Sequence, residues 1–363
     1  MTASALLLGM ALVAPGGADP APPFGVGVIF AVNDWHPRAK RCAHYVEMWY
    51  PSNERRTVPN DPETDYCQDA VRDAVPVAGK FPVVVFSHGL GGFRGQSVFL
   101  CEHLAKRGYI VVAPDHRGSC AYDLAPLDLW ESVKARTIDL QAALTMIENW
   151  NATKGAMLSG AFDLERIAVM GHSLGGSSAL AFGGAWVKDR GLPHWPDKPP
   201  VADYLDLSDP RIKAVAALAP LRWPFLDPIG LSRIKAPLLV MTGTRDLHTP
   251  SLWQSGPIFE AATGPRHLAL LEGATHFHFV DEEFLKNAPW FVRSLHFPLI
   301  DRAVADRCIE QTVARFLDWH LAGKCGGLDV SDLPPALSLR SAPAKPVSAP
   351  ASAGLRSFRR RSR

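Results

Sequence analysis

Residues Arg166 to Gly176 read R-I-A-V-M-G-H-S-L-G-G, and the rest of the chain is best read outward from them. Ile167 to Met170 is a short apolar run of the kind that forms a strand covered on both faces. Leu174 to Trp186 continues as a helix candidate. Between them Gly171, Ser173 and Gly175 stand in G-x-S-x-G. A turn from strand to helix this tight leaves no room for side chains at the flanking positions, hence glycine, and it lifts the serine hydroxyl clear of the sheet. The spacing alone is weak evidence. The strand before it, the helix after it and Gly176, which leaves room for close helix packing, make Ser173 the candidate nucleophile.

The same alternation extends in both directions. Gly25 to Val32 and His44 to Tyr50 are rich in β-branched and aromatic residues and predict an antiparallel opening pair. From Phe81 onward short apolar runs follow: Pro82 to Phe86, Ile110 to Ala113, Ile167 to Met170, Ile212 to Leu218, Leu238 to Met241 and His267 to Leu271. Helix candidates Gln96 to Arg107, Asp128 to Trp150, Leu174 to Trp186 and Ser251 to Ala262 lie between them, and Ile300 to Leu321 follows the last run. Strands alternating with helices predict an α/β fold with a mainly parallel sheet and helices on both faces.

A serine hydroxyl is a poor nucleophile alone and needs a base, a carboxylate to orient the base, and donors for an oxyanion. After an elbow of this kind the chain order is serine, acid, histidine. Asp246 follows the run ending at Met241 and so sits at the carboxyl end of a strand, on the sheet edge where the elbow opens. It is the expected acid, with Asp115, Asp206 and Asp227 as fallbacks. The loop Glu272 to His278 delivers two imidazoles, and His276 is preferred to His278 as the base. An H-x-H pair also suits a metal, but no third ligand is placed by local spacing. The expected oxyanion donors are the N–H of Leu174, next after the nucleophile, and the N–H of Leu90 in the glycine-rich loop S-H-G-L-G-G-F-R, Ser87 to Arg94.

Composition limits the alternatives. The chain has 363 residues, nearly half of them apolar, which suffices for one large buried core. The net charge is only +2, with several basic residues at the extreme C-terminus, so no basic stripe for nucleic acid is expected. Ala5 to Val13 and the small residues after it resemble a secretory leader over 1–20, pointing to a secreted or periplasmic protein; no Lys or Arg precedes Arg38, and the alternative is a buried N-terminal helix in a cytoplasmic protein. That run is too short to span a bilayer. Cys42, Cys67, Cys101, Cys120, Cys308 and Cys325 have no metal-ligand spacing. Their even number permits disulfides, Cys308 with Cys325 among them, or six scattered thiols. No cofactor or metal is called for. Residues 24–325 are expected to form the catalytic domain, and 331–363, dominated by Ala, Ser, Pro and Arg, a disordered tail.

Four segments together resemble a known family: F-S-H-G-L-G-G-F-R at Phe86 to Arg94, H-L-A-K-R-G-Y-I-V-V-A-P-D-H-R at His103 to Arg117, G-H-S-L-G-G at Gly171 to Gly176, and G-A-T-H-F at Gly273 to Phe277. They are similar to the plasma and type II platelet-activating-factor acetylhydrolases and to bacterial proteins called predicted dienelactone hydrolases. The resemblance runs from about Phe24 to Leu321. It implies the α/β-hydrolase fold with a small cap or lid insertion, catalytic roles for Ser173 and His276, and the Leu90 N–H in the oxyanion hole. Two departures stand out. The acetylhydrolases carry their acid after the strand that follows the elbow, where this chain has Ala217-Leu218-Ala219-Pro220, so the acid is expected at Asp246, as in the bacterial group. True dienelactone hydrolases use a cysteine nucleophile, and here the residue is Ser173.

The resulting expectation is a serine esterase acting on a small-molecule or lipid ester of short or medium acyl chain, with contact to a membrane surface as a secondary expectation. A peptidase or amidase would use the same residues, and a silent binding protein would keep the fold without the chemistry. Specificity is expected in Trp186 to Asp209, Leu221 to Ile229 and Phe279 to Phe297, whose Trp195, Trp223, Phe225, Trp290 and Phe291 are candidates for an acyl pocket or for ordinary packing.

Overall fold

The apolar runs of the sequence form one twisted ten-stranded sheet. The protein was studied as a computed structural model, which describes residues 23–346 apart from 35, 38–43, 59–64, 125–127, 189–203, 287–292, 295 and 325. In chain order the strands are β1 (Gly25–Val32), β2 (Tyr45–Ser52), β3 (Val71–Arg72), β4 (Phe81–Ser87), β5 (Ile110–Pro114), β6 (Ser119–Cys120), β7 (Asp123–Leu124), β8 (Phe162–His172), β9 (Trp186–Lys188), β10 (Tyr204–Asp206), β11 (Ile212–Leu218), β12 (Leu238–Gly243), β13 (Arg266–Leu271) and β14 (Leu337–Ala342). The described helices are α1 (Val98–Lys106), α2 (Leu129–Ala152), α3 (Leu174–Phe182), α4 (Pro228–Leu231), α5 (Ser255–Ala261), α6 (Glu282–Lys286) and α7 (Arg302–His320).

The large sheet runs β14-β13-β12-β11-β8-β4-β5-β2-β1-β3. From β13 through β5 all neighbours pair parallel, and antiparallel pairs β1–β2, β2–β5 and β13–β14 extend it on both sides. Period-2 alternation divides the core into two layers. Val83 and Val85 pack with α2 and α3 on one face, while Val84 and Phe86 pack with α1 and α7 on the other. Both faces of the central strands are thus covered, which is why those runs are apolar throughout.

Three expectations need correction. Trp186 is not helical: α3 ends at Phe182, and Gly184, at φ +127°, turns the chain into β9. The tail is not wholly irregular, because Leu337 to Ala342 closes the sheet as β14 with Leu271↔Leu337 and Ala269↔Leu339 in register. The composition of 331–363, taken as a whole, hid six residues in which Leu337 and Leu339 alternate with polar side chains and cover the open edge of β13. The folded body therefore extends past 325. Lastly, Cys308 is a free buried thiol packed into the α7 face of the core, as are Cys67, Cys101 and Cys120 in their places, so the bridge considered for Cys308 is not formed. Cys42 and Cys325, the leader at 1–20 and residues 347–363 lie outside the described residues. The cap segment from Trp186 to Asp209 is described only at its ends, where β9 and β10 pair antiparallel. Among the described residues no helix is long and apolar enough to cross a membrane.

Candidate active site

Ser173 connects β8 directly to α3 and has φ 56° and ψ −120°, a backbone conformation that costs a non-glycine residue of the order of 1–3 kcal/mol. Its neighbours explain how the turn is tolerated. A Cβ on Gly171 would lie 2.2 Å from Gly175 O, and one on Gly175 would lie 2.0 Å from Ser87 O. The elbow is held from both sides: Ser173 N donates to Leu218 O at 2.9 Å, and Leu221 N donates to Ser173 O at 3.1 Å.

The loops after β12 and β13 bring two more side chains to this edge. His276 Nε2 lies 2.9 Å from Ser173 Oγ, and His276 Nδ1 lies 2.8 Å from Asp246 Oδ2. With Nδ1–H donating to the carboxylate, Nε2 is left to accept from the serine hydroxyl. Asp246 is buried and accepts the N–H groups of His248 at 2.9 Å and Thr249 at 2.7 Å, with the Thr249 hydroxyl 2.7 Å from its other oxygen. Burial drives this carboxyl upward, but His276 and the Thr249 donors outweigh it and hold it at about 2.

His276 is packed between two other imidazoles. His172 lies 4.6 Å away, centroid to centroid, donates from Nε2 to His276 O at 3.1 Å, and accepts at Nδ1 from Gln96 Nε2 at 3.1 Å. Burial, and then His276, keep His172 well below the usual imidazole range, so it is a neutral spacer. His248 stacks on the other side at 5.0 Å and is lowered by partial burial and by His276. Neither role was legible in sequence, although His172 stands inside the G-H-S motif.

The other candidates are placed elsewhere. His278 turns away from Ser173: its Nδ1 accepts from Thr275 N at 3.0 Å and its ring packs 5.3 Å from His296. Asp115 receives Arg94 Nη1 at 2.7 Å and the Tyr122 hydroxyl. Asp227 caps α4 through Gly230 N at 3.0 Å, and Asp206 accepts Ser208 N at 3.0 Å. One further set, His36, His44 and Asp139, brings metal-ligating atoms within 4.8 Å of one another, with the two Asp139 oxygens 2.8 Å from His36 Nε2 and 3.0 Å from His116 Nδ1.

Ser173 and His276 open into a cleft of about 1050 Å³ that Leu90 and Leu174 also line. Leu174 is the first residue of α3, where a backbone N–H has no intrahelical acceptor. The aromatic wall of the cleft is Tyr66, Phe93, Phe277 and Phe284, not the set expected from the sequence. Phe225 is buried against Trp130 at 5.9 Å, Trp223 is exposed, and Trp195, Trp290 and Phe291 lie outside the described residues.

The family model described as Platelet-activating factor acetylhydrolase, isoform II, matches residues 64–126, the stretch that carries the Gly89–Gly92 loop. The dog platelet-activating factor acetylhydrolase is 25% identical over 281 residues, covering 67% of this chain and 57% of the relative. Cutinase 2 of Thermobifida cellulosilytica is 26% identical over 199 residues, covering 54% of this chain and 61% of the relative. The chain thus spans little more than half of these relatives' lengths. A solved ferulic acid esterase from Streptomyces cinnamoneus superposes with a TM-score of 0.63 at 24% identity, over 89% of this chain and 98% of that one. Sheet order, elbow and likeness converge: the chain is a protein of the α/β-hydrolase fold that resembles the platelet-activating factor acetylhydrolases.

Proposed function

We propose that this protein is a carboxylic ester hydrolase in which Ser173 is the nucleophile, His276 the base, Asp246 the orienting acid, and the N–H groups of Leu90 and Leu174 the oxyanion donors. One observation carries the reading: a single imidazole lies within hydrogen-bond distance of both a strained elbow serine and a buried, ionised carboxylate, 2.9 Å and 2.8 Å away. In the first step the Ser173 hydroxyl loses its proton to His276 Nε2 as Oγ bonds to the ester carbonyl, and the carbonyl electron pair moves onto oxygen. Collapse of that adduct expels the alcohol, protonated by His276. Water then repeats the sequence on the acyl-enzyme and frees the acid. The ionised Asp246 stabilises the imidazolium that forms in each step.

The apolar and aromatic wall suits an acyl chain, and the likeness to acetylhydrolases favours a short or medium one, from a soluble compound or an acetylated lipid. The likeness to esterases of several kinds supports ester over amide substrates. Hydrolysis of 4-nitrophenyl esters from acetate to palmitate, by wild type and by Ser173→Ala and His276→Ala, tests the proposal. Turnover that peaks on short or medium chains and vanishes in both variants is the expected result. Absence of Ser173-dependent turnover on every ester overturns it.

A further inference from the structure

The loop Ser87 to Gly92 is gripped from beneath by a buried guanidinium that the reaction as described does not use. Arg136, on α2, is only 1% exposed. Its Nη1 donates to His88 O at 2.5 Å, its Nη2 to Gly89 O at 3.1 Å, and its Nε to Ser119 Oγ at 3.0 Å. A planar fork of this kind can hold two carbonyls at once, which an ammonium cannot do with the same rigidity.

Gly89 O is the oxygen of the peptide whose nitrogen belongs to Leu90. In a planar trans peptide the C=O and N–H point in opposite directions, so whatever fixes one aims the other. Three donors surround Gly89 O: Arg136 Nη2, His88 Nδ1 at 2.7 Å, and Gly92 N at 3.1 Å. The His88 tautomer is also fixed, because its Nε2 accepts His116 N at 3.0 Å and the proton therefore sits on Nδ1. Burial keeps His88 neutral, well below the imidazole range. On the other side of the residue the nucleophile is close, since a Cβ on Gly89 would stand 3.4 Å from Ser173 Cβ.

The support continues outward. Asp139 lies three residues after Arg136 on α2 and is its countercharge. Asp139 Oδ2 is 3.0 Å from His116 Nδ1, and His116 Nε2 is 2.8 Å from Ser87 Oγ, at the end of β4. Ser119 O, in β6, accepts Gly91 N at 3.0 Å.

We propose that Arg136 and His88 are positioning residues that lock the Gly89–Leu90 peptide with its N–H toward the reacting centre, so that the oxyanion hole is preformed. This rests on the esterase reading above. Without the clamp the peptide can rotate and offer its carbonyl oxygen instead, removing one donor. Loss of one such donor typically costs a hundredfold or more in rate, and a loosened peptide should lose part of that.

The test compares wild type with Arg136→Met, Arg136→Lys and Ser119→Ala. It reads kcat and KM on 4-nitrophenyl acetate together with inhibition by an alkyl trifluoromethyl ketone. Addition of Ser173 Oγ to that ketone, with the proton passing to His276, places a full oxyanion in the hole. The expected result for Arg136→Met is a kcat lowered about ten- to a hundredfold, KM changed less than about threefold, and ketone affinity lowered in parallel with kcat. Arg136→Lys should recover part of both losses, and Ser119→Ala should show the same pattern in smaller size. Folded variants with unchanged kcat and unchanged ketone affinity overturn the inference, as does a loss that active-site titration assigns wholly to fewer folded molecules. Where the Arg136 variants do not fold, Ser119→Ala decides by the same two readouts. A wild type that neither hydrolyses the ester nor binds the ketone overturns the esterase reading itself, which is a distinguishable result.

Discussion

Gly175 and the carbonyl of Ser87 are in contact across the elbow, so that a methyl group on Gly175 would stand 2.0 Å from Ser87 O. The contact joins the first turn of α3 to the end of β4 and sets how closely Ser173 approaches the loop that carries Leu90. Gly175→Ala must therefore push α3 away from β4. We expect a loss of about 3 kcal/mol or more in stability, as for overpacked backbone contacts, measured by urea unfolding, together with at least a hundredfold loss of esterase activity. Wild-type activity in this variant would show that the elbow yields.

The two histidines of the last loop should separate cleanly. His276→Ala is expected to lower kcat by about 10⁴-fold or more, as loss of a triad member does, while His278→Ala changes kcat less than about fivefold and acts on stability through its bond to Thr275 N. Steady-state rates beside thermal melts decide it. Equal losses of kcat in both variants would contradict the geometry.

Thr249 supplies Asp246 with a backbone and a side-chain donor, both at 2.7 Å. Thr249→Val keeps the shape and the backbone donor but removes the hydroxyl. We expect kcat to fall about tenfold, by analogy with losing one hydrogen bond to a charged group, with KM little changed. Asp246→Asn should cost about 10⁴-fold. A Thr249→Val enzyme as fast as wild type would leave the backbone donors sufficient.

Asp281 reaches across the fold to accept the first N–H groups of α1, those of Val98 and Phe99, yet burial raises its carboxyl to about 7. Glu102, buried beneath the backbone of Gln68 to Ala70, is likewise raised to about 7. A carboxyl with a raised folded-state pKa binds its proton more tightly in the folded protein. Its contribution is fully present below about 4 and is lost as pH rises through about 7. Buried neutral histidines such as His88, His172 and His278 act in the opposite sense, because unfolding lets them bind protons below about 6.5, so the carboxyl is read by difference: the excess of the wild-type urea midpoint over that of Asp281→Asn should shrink from pH 5 to pH 8. A difference that stays level or grows over this range contradicts the assignment.

Deleting the chain from Leu337 onward uncovers the edge of β13. We expect a lower melting temperature and concentration-dependent aggregation, seen by light scattering, because an open edge strand pairs with other chains. An unchanged melting temperature would mean that β14 adds nothing to the fold.

The sequence by itself determined the alternation of apolar runs and helices, the elbow, and the chain order of Ser173, Asp246 and His276. These are local signals: a glycine where a side chain would collide, a strand whose both faces are apolar, and a carboxylate or imidazole just past a strand end. Tertiary structure decided what depends on distance across the sheet. Two residues apart in sequence, His276 and His278 have the same local pattern, and only the short helical turn at His276–Phe279 sends one ring to Ser173 and the other to Thr275. The carboxylate that meets His276 is chosen among strand ends in the same way, since β11 and β12 are neighbours and Ala219, after β11, leaves its carbonyl 3.0 Å from the Thr249 hydroxyl that braces Asp246. Arg136 and Asp139 carried no visible sign, because a charged residue on a helix is ordinarily solvated and only packing α2 against the sheet buries these two. The edge strand β14 escaped for the opposite reason: its six-residue alternation is real but weak, and it becomes a strand only where β13 offers an unpaired edge.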